Sequence, residues 1–315
     1  MDISTLIKMS EMCKVMDCDS KIDNPAWVNM GDYEKLRDEK LVQIKKHPVL
    51  PLTLLNYTSR TQIRRKWCPE LIQARGMVVG PDGMIIARPI PKFFNDRELK
   101  GALPSGPFEV YEKLDGSMVI MSFHNKKPFF CTRGSFTSEQ CVKAETIFHK
   151  KYNKQHVDER YTYCFEVIYP KNKIVVDYGD EEDLFLLAKI HTATGKEAPI
   201  DDTNFRCPEK LVSCQSFTQL KQMDIPNKEG FVVKFIDDGF RMKIKFKTYI
   251  ALHKKTISRK KVIRIMQDDS IPNIQMKELI LTNRVKELGL QYNEKGCGMC
   301  QKLQYNEKDH QVDGI

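Results

Sequence analysis

The amino-acid sequence predicts an α+β fold in which an antiparallel sheet precedes a small helical extension. Short apolar runs recur between residues 77 and 233, and Pro, Gly or Asn residues separate these runs in pairs. Paired apolar runs with such turns are typical of antiparallel hairpins. After Lys247 the spacing of apolar residues becomes helical again. We therefore expect one domain over residues 1–255 and a small helical extension with a flexible tail over residues 256–315.

The individual elements follow from these runs in chain order. Residues 1–50 are mostly polar and predict helices, including a short amphipathic one at the start. Three hairpins then pair MVVG with MIIARPI, SMVIMSF with FFCTRG, and YTYCFEVI with IVVDY. The runs DLFLLAKI and GFVVKF predict further strands. The segment SEQCVKAETIFHKKY predicts a helix with Ser138 as its N-cap.

The composition limits the function classes. Hydrophobic residues make up 41% of the 315 residues, which is enough for a core. No apolar run approaches the ~20 residues that span a bilayer, and the first residues lack a signal-peptide pattern. The ten cysteines show no framework spacing, and the CGMC pair lacks two further zinc ligands at suitable positions. We expect a monomer with reduced thiols in the cytoplasm or nucleus, without membrane contact.

Positive charge is concentrated in one segment. The formal net charge is +9, and Arg241–Arg264 contains ten Lys or Arg residues and no acidic residue. Such a block suits a polyanionic partner, because cations neutralise its phosphates. A basic face that is only solvated explains the segment equally well, so charge alone does not decide between the two interpretations.

Charged residues also interrupt four runs that otherwise resemble strands. They are Lys113 with Asp115, Glu166, Glu229, and Lys243 with Lys245. Alternate residues of a strand share a face, so the members of each pair should point the same way. Each motif alone fits a solvated strand face. Together, three lysines and two glutamates could line one cleft, where lysines bind phosphates and glutamates bind ribose hydroxyls or Mg²⁺.

Within this cluster Lys113 is the candidate nucleophile. Neighbouring cations and a metal ion would push the pKa of a lysine below its usual ~10.4. The neutral amine could then attack a phosphorus atom. Gly116 would let the backbone approach the ligand closely.

The motif KLDG at residues 113–116 matches the K-x-D-G nucleophile motif of covalent nucleotidyltransferases, which include DNA ligases, RNA ligases and mRNA capping enzymes. Further motifs occur in order around it: ARGMVV, RPIPKFFN, FEVIYPKNKIVVDYG, EGFVVKF and KIKFKTYIALH. This series resembles the phage-type RNA ligase 1 family over residues 56–269. The resemblance implies an antiparallel-sheet nucleotidyltransferase (adenylyltransferase) domain.

The resemblance also implies a role for each matching residue. Lys113 would become lysyl-AMP, with Glu229, Lys243 and Lys245 as further catalytic residues. The nucleotide would be contacted by Tyr57, Arg75, Lys92, Phe94, Glu112, Gly116, Arg133, Glu166, Lys243 and Lys245. Glu229 and Asp268 would lie near a metal ion. Tyr249 would influence substrate specificity.

Three positions leave alternatives open. Arg133 stands where the family has a lysine, which keeps the charge but adds a planar fork of donors. Phe93 and Phe94 are adjacent, so one of them could belong to the core, because neighbouring strand residues face opposite ways. Asp268 fits a helix cap equally well.

The implied activity is that of an ATP-dependent RNA ligase with Mg²⁺ or Mn²⁺. Such an enzyme joins RNA 5′-phosphate and 3′-hydroxyl ends, and we expect a role in RNA repair. The alternatives are a DNA ligase, an mRNA-capping-type nucleotidyltransferase, or a catalytically inactive RNA-binding module. The sequence leaves the natural RNA open.

Overall fold

The computed structural model of this chain describes residues 2–12, 27–104, 106–152, 157–200, 204–211 and 216–254. The chain divides into two compact units, residues 1–253 and residues 254–315. All elements named below belong to the first unit. The predicted helical extension over residues 256–315 lies outside the described residues, as does Asp268, and both stay predictions.

The described part of the chain alternates short helices with strands. The helices are α1 (Ile3–Met12), α2 (Met30–Asp38), α3 (Ser59–Arg64), α4 (Pro69–Gln73), α5 (Glu139–Lys151) and α6 (Phe217–Gln222). The strands are β1 (Val42–Lys46), β2 (Thr53–Tyr57), β3 (Arg75–Val79), β4 (Ile85–Ala87), β5 (Phe94–Asn95), β6 (Phe108–Glu112), β7 (Ser117–His124), β8 (Lys127–Thr132), β9 (Tyr161–Ile168), β10 (Asp183–His191), β11 (Glu197–Ala198), β12 (Gly230–Phe235) and β13 (Arg241–Lys245). Among these helices none is long and apolar enough to cross a membrane.

The strands form three sheets within the described residues. The first sheet has the order β1-β2-β3-β4, the second β11-β10-β9-β7-β8 and the third β5-β13-β12-β6. Neighbouring strands are antiparallel, except that β5 runs parallel to β13. Mostly antiparallel sheets with separate helices confirm the predicted α+β class.

Two of the three predicted hairpins are confirmed, because β3 pairs with β4 and β7 pairs with β8. The third prediction is wrong. Strand β9 pairs with β10 instead, and residues 174–178 form no strand. The backbone N–H groups of Val175 and Val176 donate to the Asp115 carboxylate, at 2.9 Å each. Groups that are satisfied in this way cannot also join a sheet ladder.

Helix α5 covers one face of the second sheet. Ser138 caps it as predicted, because its Oγ accepts a hydrogen bond from the Cys141 N–H at 3.4 Å. Ile147 and Phe148 are at most 1% exposed and belong to the apolar cluster of this sheet. Burial of two such side chains contributes roughly 4 kcal/mol. Val142 lies on the other side of the helix and is 59% exposed.

The third sheet buries alternate residues of β13. Met242 and Ile244 are at most 4% exposed, whereas Lys243 and Lys245 alternate with them on the less buried face. The predicted shared face of the two lysines is therefore confirmed. Residues 113–116 connect β6 of the third sheet to β7 of the second, which places the KLDG motif at the junction of these sheets.

Candidate active site

The KLDG motif forms the connection between β6 and β7 and is not part of a strand. The Lys113 N–H donates to the Gly230 carbonyl at 2.9 Å, which ties this connection to the start of β12. The side chain of Lys113 contacts Glu229, whereas that of Asp115 contacts Tyr249. Residues 113–116 do not form the strand on which the predicted shared face of Lys113 and Asp115 was based, and the two side chains have different partners.

Glu229 directly precedes β12 and contacts two lysines, Lys113 and Lys245 at the end of β13. Its Oε2 lies 2.7 Å from the Lys113 Nζ, and its Oε1 lies 2.7 Å from the Lys245 Nζ. The Glu229 side chain is only 4% exposed. One buried carboxylate therefore holds both ammonium groups in place.

Lys113 keeps its proton in this arrangement. Burial lowers the pKa of its ammonium group, but the charges of Glu229, Glu166 and Asp115 together raise the pKa above the ordinary lysine value. The expected lowering of this pKa is therefore not found in the protein alone. Because the neutral amine is the nucleophile, the contact with Glu229 must change before Lys113 can react.

Asp115 anchors the motif to the rest of the domain. Its Oδ1 accepts from the Tyr249 Oη at 2.7 Å, and its Oδ2 accepts from the N–H groups of Val175 and Val176 at 2.9 Å each. Asp115 is 4% exposed. Both carboxylate oxygens have partners, so this side chain positions its neighbour Lys113 within the fold.

Tyr249 is a buried member of the same network. It is 4% exposed, and its ring stacks on His253 with centroids 5.6 Å apart. The Lys245 Nζ lies 5.0 Å from the centroid of the Tyr249 ring. Burial and the charges of Glu229 and Asp115 raise the pKa of the Tyr249 hydroxyl. These contacts are internal, and the role of Tyr249 in specificity stays a prediction.

A cavity of about 400 Å³ opens beside Lys113. Its charged lining includes Arg75, Glu112, Lys113, Glu166 and Lys243. Its apolar lining includes Phe93, Leu114, Met118, Leu187, Ile200 and Pro208. A cavity of this size and mixed character suits a ligand with one flat apolar part and several charges.

Glu166 and Gly116 meet at one side of this cavity. The Gly116 N–H donates to the Glu166 Oε1 at 3.1 Å. A Cβ atom at position 116 would lie 2.5 Å from the Val167 carbonyl oxygen, so the approach requires glycine. Burial, together with the charge of Glu229, raises the pKa of Glu166 to about 7, although Lys113 opposes this shift. A carboxyl group that titrates near neutral pH can accept from or donate to a hydroxyl group.

Phe93 lines this cavity, as does Tyr111, whereas Phe94 is 3% exposed and packs in the core of the third sheet. Two cations approach the Phe93 ring: the Arg75 Cζ and the Lys243 Nζ each lie 5.0 Å from its centroid. Phe93 directly precedes β5 and lines the cavity, whereas Phe94, the first residue of β5, packs in the core. Phe94, which was expected to contact the nucleotide, packs in the core here, and its role at the nucleotide stays a prediction.

Lys92 lies among aromatic rings near Arg75. Its Nζ is 4.7, 5.5 and 5.7 Å from the ring centroids of Phe94, Trp67 and Tyr57. Burial, followed by the charges of Arg75 and Arg133, lowers the pKa of Lys92 to about 8. Burial and the surrounding cations also hold the pKa of Lys243 well below its ordinary value. This excess of buried positive charge indicates a site that an anion stabilises.

Arg133 and Tyr57 border these cations. The Arg133 Nη1 donates to the Tyr57 Oη at 2.6 Å, and the Arg133 Cζ lies 4.9 Å from the centroid of the Tyr57 ring. Gly76 allows the backbone of Arg133 to come close, because a Cβ at Gly76 would lie 2.9 Å from the Arg133 Cα. The φ of Gly76 is +91°, which also favours glycine.

Glu112 is held by an ion pair at the edge of the cavity. Its Oε2 lies 3.0 Å from the Lys228 Nζ, which also lies 3.2 Å from the Glu209 Oε2. The Glu112 N–H donates to the Glu209 carbonyl at 2.8 Å. These contacts fix residues 204–211 along β6.

Glu229 and Glu166 are the carboxylates that could contact a divalent cation at this site. Both act electrostatically on Lys113, and carboxylate oxygens are ligands that Mg²⁺ prefers. Within the described residues, no three His, Cys, Asp or Glu side chains form a group that could hold a metal ion. A cation bound here would need phosphate oxygens or water to complete its coordination.

The burial of Phe94 and the hydrogen-bond partners of Asp115 were not predicted from the sequence. Phe94 pairs in register with the buried Met242, about 150 residues later in the chain, and no local pattern predicts this pairing. Asp115 lies within the KLDG motif, but its partners are far away in the chain. The Asp115 N–H, for example, donates to the Tyr178 Oη at 2.9 Å, which no local pattern predicts.

Two solved structures resemble this architecture. A protein of Aquifex aeolicus named as an ATP-dependent DNA ligase has a TM-score of 0.51 and 16% identity, over 83% of this chain and 76% of its own. An RNA ligase of Naegleria gruberi solved with pyrophosphate has a TM-score of 0.39 and 18% identity, over 47% of this chain and 52% of its own. The Aquifex structure supports a ligase-type fold for the described domain.

The sequence comparisons identify the family. A protein of Autographa californica nuclear polyhedrosis virus, named as a bifunctional polynucleotide kinase/RNA ligase, is 26% identical over 258 residues. The alignment covers 71% of this chain and 36% of the viral protein, so the chain spans about a third of the length of that relative. The family described as RNA ligase matches residues 73–250, which is more than half of the chain and contains the KLDG motif. Since family and motif agree over this range, the chain belongs to the RNA ligase family.

Proposed function

We propose that this chain is an ATP-dependent RNA ligase that joins RNA 5′-phosphate and 3′-hydroxyl ends through lysyl-AMP and RNA-adenylate intermediates, in RNA repair. The observation that carries this proposal is the contact of Glu229 with both Lys113 and Lys245, beside a cavity of about 400 Å³. Lys113 is held by a carboxylate and lines this cavity together with Arg75 and Lys243, so it is placed to react with a phosphate that these cations bind. Membership of the RNA ligase family supports the same activity.

In the first step, the Lys113 Nζ would attack the α-phosphate of ATP. A nitrogen–phosphorus bond forms, and the bond from the α-phosphate to pyrophosphate breaks. Lys113 must first lose a proton, and the Glu229 carboxylate, 2.7 Å from the Nζ, is placed to accept it. Lys243, Lys245 and Arg75 would neutralise the charge that develops on the departing pyrophosphate.

The second and third steps act on RNA. AMP would pass from Lys113 to the 5′-phosphate of one strand, and Lys113 would regain its proton. The 3′-hydroxyl of a second strand would then attack this phosphate, forming the phosphodiester bond and releasing AMP. Charge neutralisation and in-line positioning supply most of the catalysis in such transfers.

The carboxylates of Glu229 and Glu166 fit a divalent cation, Mg²⁺ or Mn²⁺, at this site. When bound, this cation would neutralise charge on the phosphate oxygens. Glu166, whose pKa of about 7 leaves it partly protonated near neutral pH, would also contact a ribose hydroxyl. Phe93 would contact the base, because its ring faces the cavity.

The test is incubation of the full chain with α-labelled ATP and Mg²⁺, followed by a denaturing gel. We expect label on the wild type and none on Lys113→Ala. The control Lys127→Ala, at an exposed position of β8, should be labelled like the wild type. Lys113→Ala should still join RNA that is already adenylylated. If Lys113→Ala joins 5′-phosphate RNA with ATP, the proposal is wrong.

The alternative functions differ from an RNA ligase in the strands that they join, in the nucleotide that they use, or in whether they react with a nucleotide at all. A DNA ligase would seal nicked DNA faster than it joins RNA, and a capping-type enzyme would be labelled by GTP. An inactive RNA-binding module would take no label from ATP at all, in protein freed of AMP. Parallel labelling with both nucleotides, followed by joining assays, therefore separates the candidates.

A further inference from the structure

A second cleft, called here the basic cleft, opens beside β1 and β2 of the first sheet. Its volume is about 820 Å³. The side chains that define it come from α2, the connection between α2 and β1, β2, the start of α3 and the residues after β8. They are Arg37, Lys40, Asn56, Tyr57, Arg60 and Arg133.

The basic cleft carries strong positive charge. Arg37, Lys40, Arg60 and Arg133 line it, and no Asp or Glu occurs among the described residues of its lining. Arg37 contacts Asp38 at 3.1 Å, in an exposed ion pair that a stronger anion can replace. A cleft of this charge attracts a polyanion.

Asn56 provides an independent observation. Asn56 is 9% exposed, and its Oδ1 is buried without a hydrogen-bond partner among the described residues. The pairing of β2 with β3 is irregular between Leu55 and Asn56, and such bulges redirect side chains. A buried amide oxygen without a donor is costly. Asn56 also lines the basic cleft, so a turn of its amide toward the cleft would let a ligand supply this donor.

The basic cleft adjoins the active site through Tyr57 and Arg133. The Arg133 Nη1 donates to the Tyr57 Oη at 2.6 Å, and the Tyr57 ring lies 5.7 Å from the Lys92 Nζ. The charge of Arg133 also lowers the pKa of Lys92 and that of Arg75. A strand that lies in the basic cleft would therefore bring its end close to the cations of the active site.

We propose that the basic cleft binds the backbone of single-stranded RNA next to the reacting end. Arg37 and Arg60 contact phosphates, and the Asn56 Oδ1 accepts a hydrogen bond from one ribose 2′-hydroxyl. This inference rests on the proposed RNA ligase function, because it locates the substrate of that activity. The unpartnered oxygen favours RNA over DNA, since only RNA carries a 2′-hydroxyl donor. The charges favour backbone contacts over base contacts.

The first test compares Arg37→Gln/Arg60→Gln with the control Lys127→Gln/Lys150→Gln, which removes two exposed positive charges elsewhere. Binding of a short fluorescent single-stranded RNA is measured over a series of salt concentrations. Each phosphate contact on a single strand contributes about 0.7 to the slope of log K against log salt. In Arg37→Gln/Arg60→Gln we expect this dependence on salt to become less steep, by about 1.4. Its affinity for the RNA should be about 25-fold lower than that of the wild type near 0.1 M salt. The control should match the wild type.

The second test addresses Asn56 without relying on a variant. The wild type is assayed with RNA strands that carry a single 2′-deoxy substitution at successive positions. One position should bind about fivefold more weakly, as expected for one lost hydrogen bond. In Asn56→Ala this difference should disappear.

Three results would overturn the inference. The first is an unchanged dependence of RNA binding on salt in Arg37→Gln/Arg60→Gln. The second is equal binding of all 2′-deoxy strands by the wild type. The third is a loss of labelling by ATP in Arg37→Gln/Arg60→Gln while its RNA affinity is unchanged. The last result would assign the basic cleft to the triphosphate. Failure of the proposed function is distinguishable, because it would abolish labelling of the wild type, whereas RNA binding is measured without ATP.

Discussion

The Nζ of Lys113 lies 2.7 Å from the Oε2 of Glu229, and this carboxylate keeps the candidate nucleophile protonated. Glu229→Gln should lower the pKa of Lys113, because burial then acts without the main opposing charge. The measurement is the pH dependence of Lys113 acylation by an amine-reactive reagent, read by mass spectrometry. Its midpoint should move to lower pH in Glu229→Gln, whereas that of the exposed Lys127 should not move. An unchanged midpoint for Lys113 would contradict this account.

The hydrogen bond from Tyr249 to Asp115 should contribute to stability. In Tyr249→Phe the Asp115 Oδ1 loses a donor at 2.7 Å in a buried position. We expect the free energy of unfolding to fall by about 2 kcal/mol, as for a buried hydrogen bond to a charged group. Urea unfolding of the full chain measures this change.

A matched control for Tyr249→Phe is Tyr161→Phe. In the wild type the Tyr161 hydroxyl makes no hydrogen bond to the described residues. Its stability should change by less than about 0.5 kcal/mol. If Tyr249 instead determines specificity, as the family resemblance implies, Tyr249→Phe would alter the ratio of RNA to DNA joining at unchanged stability. The two measurements therefore separate a positioning role from a role in substrate choice.

Truncation of Phe93 should mainly weaken ATP binding, whereas truncation of the adjacent Phe94 should mainly lower stability. Phe94→Ala removes a core side chain that is 3% exposed, so we expect a loss of about 4 kcal/mol in the free energy of unfolding. Phe93→Ala should weaken ATP binding about tenfold, with a much smaller loss of stability, because its ring lines the cavity. Labelling at a series of ATP concentrations and urea unfolding measure both effects. Equal losses of stability would refute the assignment of Phe93 to the cavity.

Local patterns predicted most strands of this fold. The hairpins β3–β4 and β7–β8, and the shared face of the two lysines of β13, follow from alternation and turns within a few residues of one another. The third hairpin could not be predicted in this way. The amides of Val175 and Val176 bond to Asp115, which lies about 60 residues earlier in the chain.

The candidate site was predictable as a set of residues, but its geometry was not. The sequence grouped Lys113, Glu166, Glu229 and the lysines of β13, and the structure brings these side chains together. The raised pKa of Lys113 depends on a 2.7 Å contact between residues 116 positions apart. The burial of Phe94 depends on its pairing with Met242 in β13, and the two-residue strand β5 is too short to show this from the sequence.

The raised pKa of Glu166 should make the fold less stable as the pH rises through the range from about 4.5 to 7. Burial raises this pKa from 4.5 to about 7, so within that range the folded chain binds a proton that the unfolded chain has released. The free energy of unfolding then falls with increasing pH, by up to about 3 kcal/mol from this group. In Glu166→Gln this contribution is absent, so the variant should lose less stability than the wild type between pH 5 and pH 8. Urea unfolding of both proteins at these two pH values provides the comparison, and identical pH dependence would show that Glu166 is already ionised at pH 5.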